Sequence, residues 1–197
     1  MEGLIFGAFG RPIEGEFLSG DAYLIREIEH GWLVALADGL GHGAAAAEAS
    51  EKALSIINTY AGAHGSVVDL RNVLRLCHAG LAGTRGAVIG LCHLNSQDRV
   101  WSSLVVGNVT LRVLSDRQLN PVPAGGIVGY KLPKTVHVAE WPYCEGDTLI
   151  LHTDGVREDY SMDFLARKQG LTVQQAAERI IEKYGVNTDD ATVIVGR

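Results

Sequence analysis

The stretch LVALADGLGHGAAAAEASEKALSII, residues 33–57, joins two kinds of apolar pattern through a glycine-rich turn. Its first part belongs to a continuous apolar run over 30–39 that ends in Asp38-Gly39, which predicts a buried strand with a carboxylate at its end. After the glycines, apolar residues recur at helical spacing, so an amphipathic helix is predicted over 41–62.

The remainder of the chain also divides into strands and helices. Before this unit, the pattern predicts strands over 3–9 and 21–28, and after it a second helix over 67–82. From residue 86 the apolar period changes to two, which predicts further strands at 87–94, 99–107, 109–115, 135–141, 147–156 and 189–196.

Two other segments complete the outline of the chain. Residues 120–133 carry three of the five prolines and are predicted to form a loop. A last helix is predicted over 171–184, with Thr172 and Gln175 forming a capping box at its start. Antiparallel strands with segregated helices predict an α+β fold.

The composition of the chain limits the partners and the location that can be expected for it. The 197 residues, 47% hydrophobic and 20% charged, are enough for one folded domain, which we expect to span 1–197. The net charge of −6 argues against a nucleic-acid partner. Three cysteines without a CxxC spacing, and no signal peptide or membrane span, predict reduced thiols, a cytoplasmic location and no membrane partner.

Carboxylates recur at the ends of the predicted apolar strands. Asp38 and Asp154 each end a strand and precede a glycine, Asp189 and Asp190 open the last strand, and Asp21 opens the second. Such aspartates destabilise a fold unless something compensates their charge, although single turn aspartates are common. Their number in one small domain predicts that they converge on cations.

Oxygen ligands and the lack of a zinc-type His/Cys cluster favour Mg²⁺ or Mn²⁺. The Gly39 carbonyl is a further candidate ligand. Two ions held close together would activate a water molecule and bind the oxygens of a phosphoryl group, which permits phosphomonoester hydrolysis without a protein nucleophile.

Five motifs in order resemble one family: SGD (19–21), ADGLGHGAAAAEAS (37–50), VGN (106–108), TDGV (153–156) and DDATVIV (189–195). Together they resemble the metal-dependent protein phosphatases, the PPM family, in its bacterial SpoIIE-like branch. The resemblance implies an αββα sandwich with a two-metal site between the sheets.

The resemblance also implies the role of each site residue. Asp38 would bridge two Mn²⁺ or Mg²⁺ ions with the Gly39 carbonyl on one of them. Asp154 and Asp189 would hold the other ion, Asp21 would act through water, and Asp190 would orient the site or lie at the surface.

The sequence departs from the animal-type family pattern in its phosphate-binding arginine and its acid. Arg11 lies near the position of that arginine without a clear match. Leu40 replaces the expected histidine, so His42, two residues later, is the candidate general acid, with helix capping or a place at the cleft rim as alternatives. Asp159 is expected to cap a short helix, with a third metal ion as the alternative, and Asn108 to form a hairpin turn.

The predicted function is a serine/threonine protein phosphatase. By analogy with small single-domain members of the branch, its partner would be a phosphorylated regulatory protein, a stressosome scaffold or antagonist, and the enzyme would restrain a bacterial stress response as a monomer or weak dimer. Two alternatives stay open: a non-catalytic binding regulator on the same fold, or a hydrolase of small phosphoesters.

Overall fold

The computed structural model describes residues 4–65, 68–114, 118–160 and 170–197. The strands are β1 (Phe6–Arg11), β2 (Asp21–Ile28), β3 (Gly31–Gly39), β4 (Ala87–Asn95), β5 (Val100–Val106), β6 (Thr110–Leu114), β7 (Gln118–Leu119), β8 (Ala139–Pro142), β9 (Thr148–His152) and β10 (Ala191–Gly196). The helices are α1 (Ala44–His64), α2 (Leu70–Gly80) and α3 (Val173–Tyr184).

The strands form two five-stranded antiparallel sheets that pack face to face. One sheet has the order β1-β10-β9-β6-β7 and the other β2-β3-β4-β5-β8. α1 and α2 cover the outer face of the second sheet, and α3 covers the outer face of the first. The four layers confirm the predicted αββα sandwich.

The period of two in β3 divides its side chains between two cores. Leu33, Ala35 and Ala37 face the helices α1 and α2. Val34 and Leu36 face the opposite sheet. Because side chains alternate along a strand, Asp38 continues the row that points between the two sheets.

Local chemistry explains where two of the helices begin. The Asp69 side chain accepts hydrogen bonds from the backbone of Arg71 and Asn72, so α2 starts three residues later than predicted. At α3 the predicted capping box is present, with Thr172 bonded to the Gln175 backbone and the Gln175 side chain bonded back. That prediction is confirmed.

Several strand predictions need correction. β1 spans Phe6–Arg11 and not 3–9. β10 begins at Ala191, so Asp189 and Asp190 precede the last strand and do not open it. β7 has only two residues and was missed, because a segment that short shows no periodicity. β8 begins at Ala139, not at residue 135. β9 ends at His152, so Asp154 lies in the turn beyond the strand and not at its end. In the part of the chain that the structure describes, no helix is long and apolar enough to span a lipid bilayer.

Candidate metal centre

Strand register brings the first two candidate aspartates together. Asp21 and Asp38 are direct partners across the antiparallel pair β2–β3. Directly opposed residues have Cβ atoms about 4.5–5.5 Å apart and point to the same face. Both carboxylates therefore lie at one end of the space between the two sheets.

The other sheet contributes carboxylates from its connections. Asp154 lies in the turn after β9, and Asp189 immediately precedes Asp190 and β10. Asp38, Asp154 and Asp189 line one cleft of about 330 Å³. Asp21 is buried and lines a separate groove between β1 and β2, so it approaches the group from the other side.

The electrostatics of this group oppose ionisation. Burial raises the pKa of Asp38 to about 8, and the carboxylates of Asp21, Asp154, Asp189 and Asp190 add to the shift. Burial likewise raises the pKa of Asp21 to about 7. Desolvation by the cleft walls, and then the Asp189 carboxylate, raise the pKa of Asp154. Like charges at short range disfavour the ionised form, and a cation between them would favour it.

The candidate ligands are carboxylate and carbonyl oxygens, the type of atom that a hard divalent cation prefers. Among the described residues no hydrogen bond is formed to the Asp38 carboxylate. The same part of the chain contains no ready-made group of three or more acidic, histidine or cysteine side chains arranged to hold a metal ion. Asp38, Asp154 and Asp189 thus face one cleft, but the carboxylate oxygens are not gathered into one coordination sphere.

Hydrogen bonds hold two of the carboxylates in place. The Thr153 hydroxyl donates to Oδ2 of Asp21 over 2.8 Å and accepts from the Thr192 backbone over 3.0 Å, so it connects the two sheets at the site. The Asn108 side chain donates to Oδ2 of Asp154. The predicted hairpin turn at Asn108 is wrong, because the segment around Asn108 connects β5 to β6, which lie in different sheets and do not pair. The contact of Asn108 with Asp154 was missed.

Asp190 has a different environment from its neighbour. It is only 3% exposed, so the surface alternative for this residue is wrong. Its Oδ1 accepts from the Ile13 backbone and its Oδ2 from the Gly20 backbone, each over 2.8 Å. Asp190 therefore fixes both ends of the 13–20 loop, close to the metal-ligand candidates.

The glycines of both Asp-Gly pairs lie where the backbone is approached closely. A Cβ on Gly39 would lie 2.0 Å from the carbonyl oxygen of Ala46 in α1. A Cβ on Gly155 would lie 1.9 Å from the carbonyl oxygen of Asp190. Each glycine allows an aspartate-bearing segment to pack directly against another backbone.

His42 lies on the cleft wall, with its side chain 60% exposed. Its Nδ1 is 2.9 Å from Oε1 of Glu16, which comes from the 13–20 loop. α1 has no side-chain cap, so the capping alternative for His42 is wrong. Glu16 was missed, because the two residues are 26 positions apart and no local pattern connects them.

Two other candidates lie away from the carboxylate cleft. Arg11 donates to the Val186 carbonyl over 2.7 Å and to the Asn187 side chain over 3.0 Å, and it lines a separate groove beside α3. Asp159 lies 3.5 Å from Arg157 at the surface. The short helix that it was expected to cap lies outside the described residues.

Residues 28–197 match the family model described as Stage II sporulation protein E (SpoIIE). The chain belongs to the SpoIIE family. The match covers most of the chain, including four of the five motifs and every candidate ligand except Asp21.

Individual relatives agree with this assignment. The phosphoserine phosphatase RsbX of Bacillus subtilis (strain 168) is 28% identical over 187 residues, which cover 93% of this chain and 89% of RsbX. A crystal structure of RsbX in complex with magnesium matches with a TM-score of 0.86 and 25% identity, covering 100% of this chain and 96% of that one.

A second solved structure, described as "The bacterial stressosome: a modular system that has been adapted to control secondary messenger signaling", is 37% identical. Its TM-score is 0.93, and the match covers 100% of both chains. These findings confirm the predicted family, the fold and the enzyme class, a phosphatase of the metal-dependent serine/threonine type.

Proposed function

We propose that this protein removes phosphate from serine or threonine on a regulatory protein of the stressosome type, with two Mg²⁺ or Mn²⁺ ions at the carboxylate cleft. The observation that carries the proposal is the convergence of Asp38, Asp154 and Asp189 on one cleft, where burial and the neighbouring carboxylates oppose the ionisation of Asp38 and Asp154. The magnesium bound to RsbX and the stressosome relative support it.

Each candidate ligand has a distinct place in this proposal. Asp38, which interacts electrostatically with the other four carboxylates, would bridge two ions, with the Gly39 carbonyl as a further ligand. Asp154 and Asp189 would hold one ion from the cleft side. Asp21, reached from behind the cleft, would act on the other ion through water. Ions bound there would supply positive charge that acidifies a water molecule and neutralises phosphoryl oxygens.

The chain's own side chains orient these ligands. Thr153 fixes Asp21, and Asn108 fixes Asp154, through the hydrogen bonds described above. Asp190 holds the 13–20 loop against the site through both of its oxygens and would act as a positioning residue. Fixed ligand orientation is a condition for metal affinity.

His42 is proposed to deliver the proton that the departing serine oxygen needs. It lines the cleft, and Glu16 holds its Nδ1 so that Nε2 is the nitrogen available to a substrate. A serine alkoxide is a poor leaving group, so a proton donor within hydrogen-bond reach accelerates its departure.

Removal of phosphate from a stressosome protein would oppose the kinase that placed it. The proposed physiological role is therefore negative feedback on a bacterial stress response, carried out by a single catalytic domain spanning 1–197. The presence of each carboxylate expected at the site favours this role over the non-catalytic binding regulator.

The experiment is phosphate release from a phosphoserine stressosome scaffold protein and from para-nitrophenyl phosphate, with Mn²⁺ and with EDTA. We expect release from both substrates with Mn²⁺ and from neither with EDTA. Release from para-nitrophenyl phosphate alone would favour the small-phosphoester alternative. Absence of release from both would favour the binding regulator.

A further inference from the structure

Two aromatic side chains beside the cleft are exposed to solvent. Phe17 is 98% exposed and Tyr130 is 80% exposed, whereas most large apolar side chains in the described residues are buried. Leu18, next to Phe17, is 54% exposed. Exposed apolar groups that cluster near a functional site are typical of protein interaction surfaces.

Phe17 projects from a well-anchored loop. The two ends of the 13–20 loop are bonded to the Asp190 carboxylate, and the Glu14 backbone donates to the Asn187 carbonyl. Ile13 lines the cleft, and Glu16, directly before Phe17, bonds His42 on the cleft wall. Phe17 is therefore held in solvent at the cleft edge by a fixed backbone.

Tyr130 projects from a second anchored turn. Ile127 lines the cleft, and its backbone exchanges hydrogen bonds of 2.8 Å with Lys131. The Gly129 backbone donates to Nδ1 of His78 in α2 over 3.0 Å, and Val128 is paired with Ala87 in β4. Tyr130 is thus fixed beside the cleft without packing into the core.

Arg85 adds a cation to the same edge. Its guanidinium lies beside Leu40 and Gly41, two residues of the cleft wall, and donates to the Leu40 carbonyl over 3.4 Å. Next to it, Gly86 packs against Ile127 and Val128. Arg85 is exposed and forms no ion pair with any carboxylate in the described part of the chain.

We propose that Phe17, Leu18, Arg85 and Tyr130 form a docking rim for a folded phosphoprotein substrate. The inference rests on the proposed function and specifies how the cleft selects proteins over small phosphoesters. The rim is continuous with the cleft through Glu16 and Ile127. Its aromatic and arginine side chains are of the types that contribute most to protein interfaces.

Charge and size favour this occupant. The cation of Arg85 complements the negative phosphate or acidic groups beside it, and a phosphoserine carries about −2 charge. A small phosphoester that reaches the carboxylates would leave Phe17 and Tyr130 in water, since both lie outside the lining of the cleft. A folded protein covers the cleft and both aromatic side chains at once.

The test compares kcat/KM for a phosphoserine stressosome scaffold protein with kcat/KM for para-nitrophenyl phosphate, in Mn²⁺. The variants are Phe17→Ala, Tyr130→Ala and Arg85→Gln. Ile5→Ala is the matched control, because Ile5 is likewise an exposed apolar residue, with 58% exposure. Its backbone pairs with Arg197, at the opposite end of β10 from the site. Truncating one such contact costs about tenfold in affinity.

The expected result is a roughly tenfold fall in the protein-to-aryl-phosphate ratio for each rim variant, and no change for Ile5→Ala. An unchanged ratio in Phe17→Ala and Tyr130→Ala would overturn the docking rim while leaving the phosphatase intact. Failure of the wild type to hydrolyse either substrate would instead overturn the proposed function.

A second copy of the chain is the competing occupant of the rim. Sedimentation velocity of the wild type and of Phe17→Ala distinguishes the two. Substrate docking predicts the same oligomeric state for both proteins. A wild-type dimer that the variant converts to monomers, with an unchanged substrate ratio, would assign the rim to self-association and overturn the proposal.

Discussion

At the residue scale, the site depends on contacts between segments that are distant in the sequence. Thr153 reaches Asp21 across 132 positions, and Glu16 reaches His42 across 26. These contacts place a carboxylate beside the imidazole on the cleft wall and a hydroxyl beside the buried carboxylate of Asp21. The role of each acidic group follows from its neighbours and not from its residue type.

His42→Ala tests the proton-delivery role. We expect kcat for a short phosphoserine peptide to fall by about 10²-fold or more, because the serine oxygen leaves without a proton. For para-nitrophenyl phosphate, whose leaving group is already a stable anion, the fall is expected to be much smaller. Glu16→Gln should show the same pattern to a lesser degree.

The measurement is steady-state kinetics on both substrates in the same Mn²⁺ buffer. Equal losses of kcat on the peptide and on para-nitrophenyl phosphate would contradict proton delivery and indicate that His42 only shapes the cleft.

At the element scale, glycine determines how closely the segments that carry the aspartates can pack. Gly39 allows the end of β3 to meet the first turn of α1, and Gly155 allows the turn after β9 to meet the start of β10. The second contact keeps Asp154 next to Asp189 and Asp190. Backbone contact of this kind leaves no space for a methyl group.

Gly155→Ala should therefore damage both stability and activity. The added Cβ would overlap the Asp190 carbonyl, so we expect a loss of about 1–3 kcal/mol or more in the free energy of unfolding. Chemical denaturation measures it. Gly125→Ala is the control, because no heavy atom lies within 4 Å of its Cβ position. Equal stability of the two variants would contradict the close packing.

The amount of structure that could be predicted from the sequence also differs by element. Partial alternation in β2 and the continuous apolar run of β3 identified these strands nearly residue for residue. The order of the elements indicated the α+β class, whereas the αββα sandwich was implied by the family resemblance. The two-residue β7 and the end of β9 before Asp154 were missed, because short pairings and turn positions are decided by tertiary contacts.

The candidate site was predictable in part for the same reason. The aspartates stand out in the sequence because they lie at or near the ends of apolar runs. Glu16, Thr153 and the contact of Asn108 with Asp154 depend on non-local approach of loops, which no spacing in the sequence encodes.

At the scale of the whole molecule, the carboxylate group sets how stability depends on pH. Folding raises the pKa of Asp21 from 3.8 to about 7 and of Asp38 from 3.8 to about 8, with burial as the main cause. Between pH 3.8 and these raised pKa values, the folded chain holds more protons than the unfolded chain. These two groups therefore lower the free energy of unfolding as pH rises from 3.8 up to about 7 and 8, and their effect levels off above those values.

In EDTA, we expect the melting temperature to fall between pH 7 and pH 8.5 by about 2–4 °C for each 1 kcal/mol lost. Excess Mg²⁺ should remove the decline, because the ions favour the ionised carboxylates. Differential scanning calorimetry measures both curves, with Asp38→Asn as the control that flattens the slope in EDTA. A melting temperature that rises with pH in EDTA would contradict the assigned electrostatics.

The most direct test of the central claim is titration calorimetry of Mn²⁺ into the wild type and Asp38→Asn, with phosphate release from the phosphoserine scaffold protein measured in the same samples. We expect two ions per chain and Mn²⁺-dependent turnover in the wild type. In the folded variant, we expect tight binding and turnover to be lost together. Undiminished turnover in Asp38→Asn, or turnover that persists in EDTA, would contradict a metal-dependent phosphatase centred on this aspartate.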